Sequence, residues 1–376
     1  MKHPTDHIFA HSPDSLAAWC NDRGMPSFRA KQILDWVYAK GVADPRKMTN
    51  LSAAHRDLLA SEMAFLSGET LSHQIATDGT QKLLVQWSDG MPSSSETPAF
   101  ERTGLTVLNN PSEAEDTRRQ TECVMIPTPN RRTACISSQV GCPVGCKFCA
   151  SGMSGLDGNL SAGRIVEQVW RLAQLPKVER ISNIVFMGMG EPLSNLSAVV
   201  PAVHAMAAPW GLGISARRIT ISTVGLPKAI RNLAEKLDLP VTLALSLHAP
   251  TDDLRRELIP WAEYTTIAEL FDACDAWFQK TGREITLEYT LLRGVNDRTH
   301  HAHELARIAK RLRANVNLIR YNEVEPLEFR RPVTEDVHAF QRILESANVN
   351  THIRKSRGRD IAAACGQLRH EHAGTA

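Results

Sequence analysis

Three cysteines stand close together in the run GCPVGCKFC, at Cys142, Cys146 and Cys149. Thiolates at this spacing can bind three irons of a 4Fe-4S cluster and leave the fourth iron open. A structural zinc site would need a fourth Cys or His nearby, and none is adjacent in the sequence. Three unrelated buried thiols are the other alternative, but they do not fit a glycine-rich loop with this spacing. The sequence therefore predicts a 4Fe-4S cluster on these three residues.

A second group of candidate residues lies where predicted strands end. Gly190 and Glu191 follow an apolar run, and the glycine lets the backbone approach a ligand while the carboxylate can accept a hydrogen bond from an ammonium group. The other candidates for contacts to a ribose, a carboxylate or adenine are Ser222, Ser246, Leu247, His248 and Asn322. Each of these five could instead be a helix N-cap or a hydrogen-bonded loop residue.

Length and composition fit a chain that folds around a large core. With 376 residues and 43% hydrophobic content, the chain can form one large α/β domain with a small appendage. It contains no run of eighteen apolar residues, and its start is too polar for a signal peptide. We therefore expect a cytoplasmic protein without a membrane partner. In that reducing compartment, eight cysteines favour metal binding or catalysis over structural disulfides.

Four regions follow one another along the chain. Residues 1–70 read as a small helical domain, and residues 71–130 contain a hairpin signal around Asp78 and Gly79. Residues from about 91 to 120 are rich in Ser, Pro, Glu and Asn, so we expect a flexible insertion, in which GLTVL could add an edge strand. Residues 131–360 alternate short apolar runs with amphipathic segments, and residues 361–376 form a C-terminal segment.

Six successive strand–helix units predict an α/β fold, a partial (β/α)6 barrel that is TIM-like. The predicted strands are TACISSQV, ISNIVFMGMG, RRITISTVG, VTLALSLHA, EITLEYTLL and NVNLIRYN. In such folds the loops at the carboxyl ends of the strands form the functional site. The cysteine loop follows the first of these strands directly, so we expect it at that end.

The motifs resemble a known family. The cysteine spacing, with Phe148 before the last cysteine, is similar to that of radical S-adenosylmethionine (SAM) enzymes. The strings NIVFMGMGEPLSNL, ITISTVGLP, LALSLHAPTDDLRREL and RGRDIAAACGQL, together with the N-terminal FRAKQILDWVYAKG, resemble the RlmN and Cfr family of radical SAM RNA methyltransferases. The resemblance covers nearly the whole chain. It implies SAM bound at the open iron and cleaved by one electron to a 5'-deoxyadenosyl radical.

The resemblance also implies roles for residues outside the cysteine loop. Cys365 matches a cysteine that accepts a methyl group from SAM, and Cys135 matches the partner that later forms a transient disulfide with it. Glu122 matches an acidic residue near the target adenine that could accept a proton, and Asn322 matches a SAM contact. Without the resemblance, an isolated cysteine is usually a small buried hydrophobe, and Glu122 could be a solvated strand residue.

The family implies methylation of an adenine carbon in RNA. We expect C2 of adenine in 23S rRNA, and also in tRNA. Methylation at C8, as in Cfr, is the alternative within the family, and a non-catalytic iron-sulfur RNA-binding protein or a radical SAM enzyme for a small molecule are alternatives outside it. We also expect an electron donor such as flavodoxin or ferredoxin, and a monomeric state.

Clusters of basic residues favour RNA as the partner. Paired arginines in loops are usually solvated, but four such clusters are expected to flank one mouth and to contact phosphates there, and the base would have to be unstacked to reach the site. The clusters are Arg131-Arg132, Arg217-Arg218, Arg330-Arg331 and Arg354-Lys355 with Arg357 and Arg359.

Overall fold

The N-terminal part of the protein is helical, as the sequence predicts. The computed structural model describes residues 1–89 and 116–368. Helix α1 spans Pro13–Asp22, α2 spans Arg29–Leu34 and continues as a π-helical turn over Asp35–Ala39, and α3 spans Ala53–Glu62. These helices share one apolar core with the rest of the chain, because Phe9 contacts Trp170 of the following α/β region at a ring distance of 5.9 Å.

One ten-stranded sheet forms the centre of the molecule. Four strands at one side pair antiparallel: β1 (Gly68–Ile75), β2 (Gln81–Trp87), β3 (Gln120–Thr128) and β4 (Arg131–Cys135). Parallel pairing then continues from β4 through β7 (Asn183–Phe186), β8 (Ile219–Thr223), β9 (Thr242–Ser246), β10 (Ile285–Leu291), β11 (Ala314–Arg320) and β12 (Thr351–Arg354). Strands β5 (Gln139–Gly141) and β6 (Leu156–Asn159) form a separate pair.

Amphipathic helices connect the parallel strands. They are α4 (Ala162–Ala173), α5 (Leu196–Ala207), α6 (Pro227–Lys236), α7 (Asp252–Leu258), α8 (Ile267–Thr281), α9 (Thr299–Ala309) and α10 (Thr334–Ser346). Their ends follow local chemistry, as in α8, where Thr266 and Glu269 form a capping box and Gly282 ends the helix with φ +64°. None of the helices in the described ranges is long and apolar enough to cross a membrane.

The sheet is strongly curved. Cys135 on β4 and Ile319 on β11 line the same cavity, although β11 is the fifth strand from β4 in the sheet. The loop after β12 reaches back to the hairpin at the other side, because the Gly358 amide donates to Asp78 Oδ2 at 3.1 Å and the Thr77 amide donates to Asp360 at 2.9 Å. These contacts connect the two edges of the open sheet around the site.

The predicted fold class is confirmed. Each of the six predicted apolar runs forms a strand, and the hairpin turns at Asp78 and Gly79. The sequence prediction missed β12, a four-residue strand with only one strongly apolar residue, Ile353. GLTVL and most of the predicted insertion lie outside the described residues, and the segment from Thr117 to Arg119 is a 3-10 turn before β3. The domain boundaries stay a prediction.

Candidate active site

The cysteine loop is held in a fixed conformation between β5 and β6. Gly141 enters the loop with φ +75°, and a side chain there would place its Cβ 2.0 Å from the Gly155 carbonyl oxygen. The Cys142 amide donates to the same oxygen at 2.7 Å. On the opposite side the Lys147 amide donates to the carbonyl of Leu258, at the end of α7, at 3.0 Å. The loop is therefore anchored on both flanks.

The three thiols of this loop lie in apolar surroundings. Burial raises the pKa of Cys142 to about 12, and burial together with the neighbouring thiols raises the pKa of Cys146 and Cys149. Val144, Phe148 and the partly buried cysteines belong to one apolar cluster. Thiols in such a place are protonated and inert until a metal displaces the protons.

The donor set fits an iron-sulfur cluster better than a single ion. Within residues 1–89 and 116–368 no three His, Cys, Asp or Glu side chains converge on one metal position. A 4Fe-4S cluster takes each thiolate on a different iron, so its ligands need not converge on one point. Three soft thiolates in an apolar loop are the ligands that such a cluster uses.

Glu191 is a buried carboxyl at the turn after β7. Its Oε1 accepts from the Leu193 amide at 2.9 Å and its Oε2 accepts from the Val224 amide at 2.8 Å. Burial raises its pKa to about 7, although these two amides act in the opposite direction. Gly190, before it, has φ +99°, which favours glycine. Glu191 thus connects the loops after β7 and β8, and a contact to an ammonium group remains a prediction.

The other candidate residues at strand ends also come together. Ser222 Oγ on β8 lies 3.3 Å from Ser246 Oγ on β9. His248, two residues further, has φ +56°, and its Nδ1 accepts from the Thr290 amide at 3.0 Å. Burial, together with the charge of Arg255, lowers the pKa of His248 to about 3, so the ring is neutral with its proton on Nε2.

Asn322 positions the segment that carries Cys365. Its Nδ2 donates to the Cys365 carbonyl at 3.2 Å, and its Oδ1 accepts from Arg331 at 3.1 Å. The same segment contacts the cysteine loop, because the Ala150 amide donates to the Gly366 carbonyl at 2.9 Å. The C-terminal segment is therefore bound directly beside the proposed cluster ligands.

Cys135 and Cys365 line one small cavity. Its volume is about 70 Å³, and both residues are free thiols. Burial, followed by the nearby Cys365, raises the pKa of Cys135 to about 12. Arg354 lines the same cavity, and its Nη1 lies 3.4 Å from Glu288 Oε2 and 3.3 Å from Met187 Sδ. The site thus holds two thiols, with the guanidinium of Arg354 held beside them by Glu288.

Glu122 is buried on β3 and paired with a lysine. Lys82 Nζ on β2 lies 2.6 Å from Glu122 Oε1 and 3.5 Å from the Ala362 carbonyl. The ammonium group stabilises the negative charge of the carboxylate. Lys82 also connects Glu122 to the segment three residues before Cys365. Because Glu122 is buried, the alternative that it is a solvated strand residue is wrong.

Comparison with known proteins places the chain in a family. Residues 136–306 match the model of the radical SAM superfamily, and residues 8–65 match the ribosomal RNA large subunit methyltransferase N-terminal domain. A probable dual-specificity RNA methyltransferase RlmN from Rhodopirellula baltica is 42% identical over 97% of this chain and 91% of its own length. One from Symbiobacterium thermophilum is 44% identical over 95% of this chain and 90% of its own length. This chain belongs to the RlmN family of radical SAM methyltransferases.

A solved structure supports the same conclusion. The crystal structure of a radical SAM methyltransferase from Sphaerobacter thermophilus has 38% sequence identity, covers 97% of this chain and 100% of its own, and gives a TM-score of 0.87. As a radical SAM methyltransferase of the RlmN family, the protein is a SAM-dependent enzyme with a 4Fe-4S cluster, and both predicted cofactors are confirmed.

The RlmN family site also contains residues that the sequence analysis did not single out. They are Lys82, which pairs with Glu122, and Glu288, which pairs with Arg354 of the predicted basic cluster. The sequence contains a feature that could have identified Glu288, because this charged residue interrupts the apolar run EITLEYTLL at a position that is buried in the sheet. For Lys82 no such feature exists, since lysine is common at exposed positions of hairpins.

The basic clusters divide between two ends of the sheet. Arg354, Lys355 and Arg357 line the cavity with both thiols. Arg131-Arg132 begin β4 and Arg217-Arg218 directly precede β8, at the amino ends of these strands, whereas the cysteine loop follows the carboxyl end of β4. The expectation that all four clusters flank one mouth is therefore wrong for these two.

Proposed function

We propose that this enzyme methylates C2 of adenine in RNA, in 23S rRNA and in tRNA, through a methyl group carried on Cys365. One observation carries the proposal, namely that Cys135 and Cys365 line the same cavity beside the cysteine loop. The relatives' names describe dual-specificity RNA methyltransferases, which supports RNA as the substrate and more than one RNA as the target.

The chemistry requires a methyl carrier. An amidine carbon of adenine is electron-poor, so it does not attack the methyl group of SAM as an amine would. The bound cluster and SAM supply the one-electron chemistry that removes a hydrogen atom from a methyl group. If that methyl group is the thioether of Cys365, the resulting carbon radical can add to C2 and join the RNA to the protein. We propose Cys142, Cys146 and Cys149 as the cluster ligands.

Cys135 releases the product in this proposal. Its sulfur attacks the Cys365 sulfur, the bond from Cys365 to the new methyl carbon breaks, and a disulfide forms between the two cysteines. The methylene carbon takes up one proton as its bond to sulfur breaks, and the sum of addition and release frees one proton and one electron; the oxidised cluster would take up the electron. Glu122 is the proposed proton acceptor, and Lys82 orients its carboxylate. Cellular thiols then reduce the disulfide.

The remaining candidate residues position SAM and the methyl carrier. We propose Gly190, Glu191, Ser222 and the backbone and side chains of Ser246–His248 as contacts to SAM. Asn322 keeps Cys365 in place through the backbone carbonyl, and we propose it as a further contact to SAM. Arg354, Lys355 and Arg357 offer cationic groups to the RNA phosphates around the cavity. Flavodoxin or ferredoxin is the proposed electron donor, and the proposed state is a monomer.

Nucleoside mass spectrometry tests the proposal. Reconstituted enzyme is incubated with rRNA or tRNA, a chemical reductant and SAM with a deuterated methyl group, and the digested nucleosides are separated. We expect labelled 2-methyladenosine from both RNAs. Labelled 8-methyladenosine would support the Cfr-like alternative, and RNA binding without SAM cleavage would support the non-catalytic alternative.

Two cysteine variants separate the methyl carrier from the release step. Cys365→Ala is expected to abolish methylation. Cys135→Ala is expected to stall with RNA covalently attached to protein, visible on a denaturing gel and sensitive to nuclease. Cys274→Ala, at a buried cysteine of α8 outside the site, is the matched control and should behave as wild type. Normal turnover by either Cys365→Ala or Cys135→Ala would refute the methyl-carrier mechanism.

A further inference from the structure

Arg255 on α7 is one of the largest fully buried side chains of the described residues. Its Nε donates to the Leu247 carbonyl at 3.2 Å. Its Nη2 donates to the carbonyls of Val224 and Ser246. These three acceptors lie at or just after the carboxyl ends of β8 and β9, at the same end of the sheet as the cysteine loop. The guanidinium is thus held rigidly by backbone groups beside the proposed cofactor site.

The third nitrogen of this guanidinium has no partner in the part of the chain that the structure describes. Within residues 1–89 and 116–368, Arg255 Nη1 is buried and makes no hydrogen bond. A buried donor of a charged group without an acceptor is costly, and native proteins rarely retain one without a reason. The other nitrogens are already satisfied, so Nη1 is the part of the side chain that needs a ligand.

The surroundings of Arg255 indicate an anionic ligand at the cysteine loop. Burial lowers the pKa of Arg255 to about 10, with the charges of Cys146 and Asp252 acting in the opposite direction, so the group stays protonated at neutral pH. Asp252 already uses Oδ1 to accept from the Ile267 amide at 2.7 Å. The cysteine loop packs against the helix that carries Arg255, because the amide of Lys147, next to Cys146, donates to the carbonyl of Leu258, one turn further along α7, at 3.0 Å.

We propose that Arg255 is a positioning residue for the cluster. Its Nη1 donates to a cluster sulfur or to the Cys146 sulfur, and its fixed charge favours reduction of the cluster. The inference rests on the proposed ligation by Cys142, Cys146 and Cys149. Reduction adds one negative charge to a cluster that three thiolates already make anionic. A buried cation next to the cluster would stabilise the reduced form more than the oxidised form and would therefore raise the reduction potential.

The competing explanation is a purely structural one. Arg255 could serve only to connect the carbonyls of Val224, Ser246 and Leu247, with no effect on the cluster. A lysine at this position keeps the charge but cannot make all three contacts, whereas a methionine keeps most of the volume and loses the charge. The two substitutions therefore separate the effect of the positive charge from the effect of losing the hydrogen bonds to the three carbonyls, which we call tethering.

The test measures iron content and the midpoint potential of the reconstituted cluster, without SAM or RNA. The variants are Arg255→Met and Arg255→Lys, and Arg256→Met is the matched control, because Arg256 is the next residue, partly exposed and paired with Asp253 at 2.7 Å. In Arg255→Met we expect the ratio of reduced to oxidised cluster at a fixed potential to fall about tenfold, which is a shift of about 59 mV. Arg255→Lys and Arg256→Met should stay close to wild type.

Each outcome decides the inference. Loss of iron in Arg255→Met with wild-type iron and potential in Arg255→Lys would also support it, since the charge would then be needed to hold the cluster. Wild-type potential and iron in Arg255→Met would overturn it, and so would equal losses in Arg255→Met and Arg255→Lys, which point to tethering alone. Failure of the wild-type protein to bind a cluster, or retention of the cluster after replacement of Cys146, would instead contradict the proposed ligand set.

Discussion

A buried ionic network connects the N-terminal region to α4, and its removal has a calculable cost. Glu167 is fully buried, and its Oε2 lies 3.0 Å from His7 Nε2 and accepts from the Ser67 amide and hydroxyl at 2.9 Å each. Its Oε1 accepts from the Gly68 amide at 3.3 Å and from Arg171 Nε at 2.8 Å. Four residues from three segments thus depend on one carboxylate.

Replacing Glu167 by Gln keeps the shape and removes the charge. Burial acts to raise the pKa of Glu167, but the charge of Arg171 and the hydrogen bond with His7 outweigh it and lower the pKa from 4.5 to about 2. At 1.36 kcal/mol per pH unit, this difference contributes ~3 kcal/mol to folding. A folded-state pKa below the unfolded value stabilises the protein above pH 4.5, and this stabilisation is lost as the pH falls from 4.5 towards 2.

Denaturant unfolding of wild-type and Glu167→Gln apoprotein at pH 7 measures this contribution. We expect the variant to lose ~3 kcal/mol of unfolding free energy, and the difference should shrink in titrations below pH 4.5. Glu62→Gln is the control, because Glu62 pairs with Arg23 at 2.5 Å at the surface, where ion pairs contribute about 0–1 kcal/mol. A loss in Glu167→Gln no larger than that of the control would refute the reasoning.

Two further predictions concern the site itself. Arg354→Met removes the cation that opposes the high pKa of Cys135, so alkylation of Cys135 at neutral pH should slow about tenfold, measured by peptide mass spectrometry; an unchanged rate would show that the two groups do not interact. Gly141→Ala places a Cβ 2.0 Å from a backbone oxygen at φ +75°, so the protein should lose most of its iron on reconstitution. Gly145→Ala is the control, since it has φ +68° but no close contact, and equal iron loss in both variants would contradict the steric argument.

The sequence was sufficient for the parts of the fold that local patterns determine. The alternation of apolar strands and amphipathic helices predicted the parallel sheet, and Asp78-Gly79 predicted the hairpin turn. Because carboxyl ends of parallel strands meet at one edge, the residues at the ends of β8 and β9 were also expected to come together, as Ser222 and Ser246 do. These inferences need only the period of the pattern and the direction of the strands.

Contacts between side chains that depend on the curvature of the sheet or on the register of its strands could not be predicted. Arg354 at the end of β12 meets Met187 after β7, although these strands are far apart in the sheet order. Lys82 meets Glu122 diagonally across β2 and β3, because Lys82 pairs with Val124 and Leu84 with Glu122. A shift of one residue in that register would turn the lysine to the other face. Both strands are buried along most of their length, so no alternation of buried and exposed positions sets the register.

The hairpin extension has a definite function in this arrangement. A parallel sheet of this kind is open on one side, and the segment after β12 would otherwise have few partners. Instead Asp78 accepts from the Gly358 amide, Lys82 contacts the Ala362 carbonyl, and Asn322 donates to the Cys365 carbonyl. These contacts place Cys365 between the cysteine loop and Cys135. A methyl carrier has to reach both the cofactor and the releasing thiol, so fixing this segment at several points is a physical requirement of the proposed chemistry.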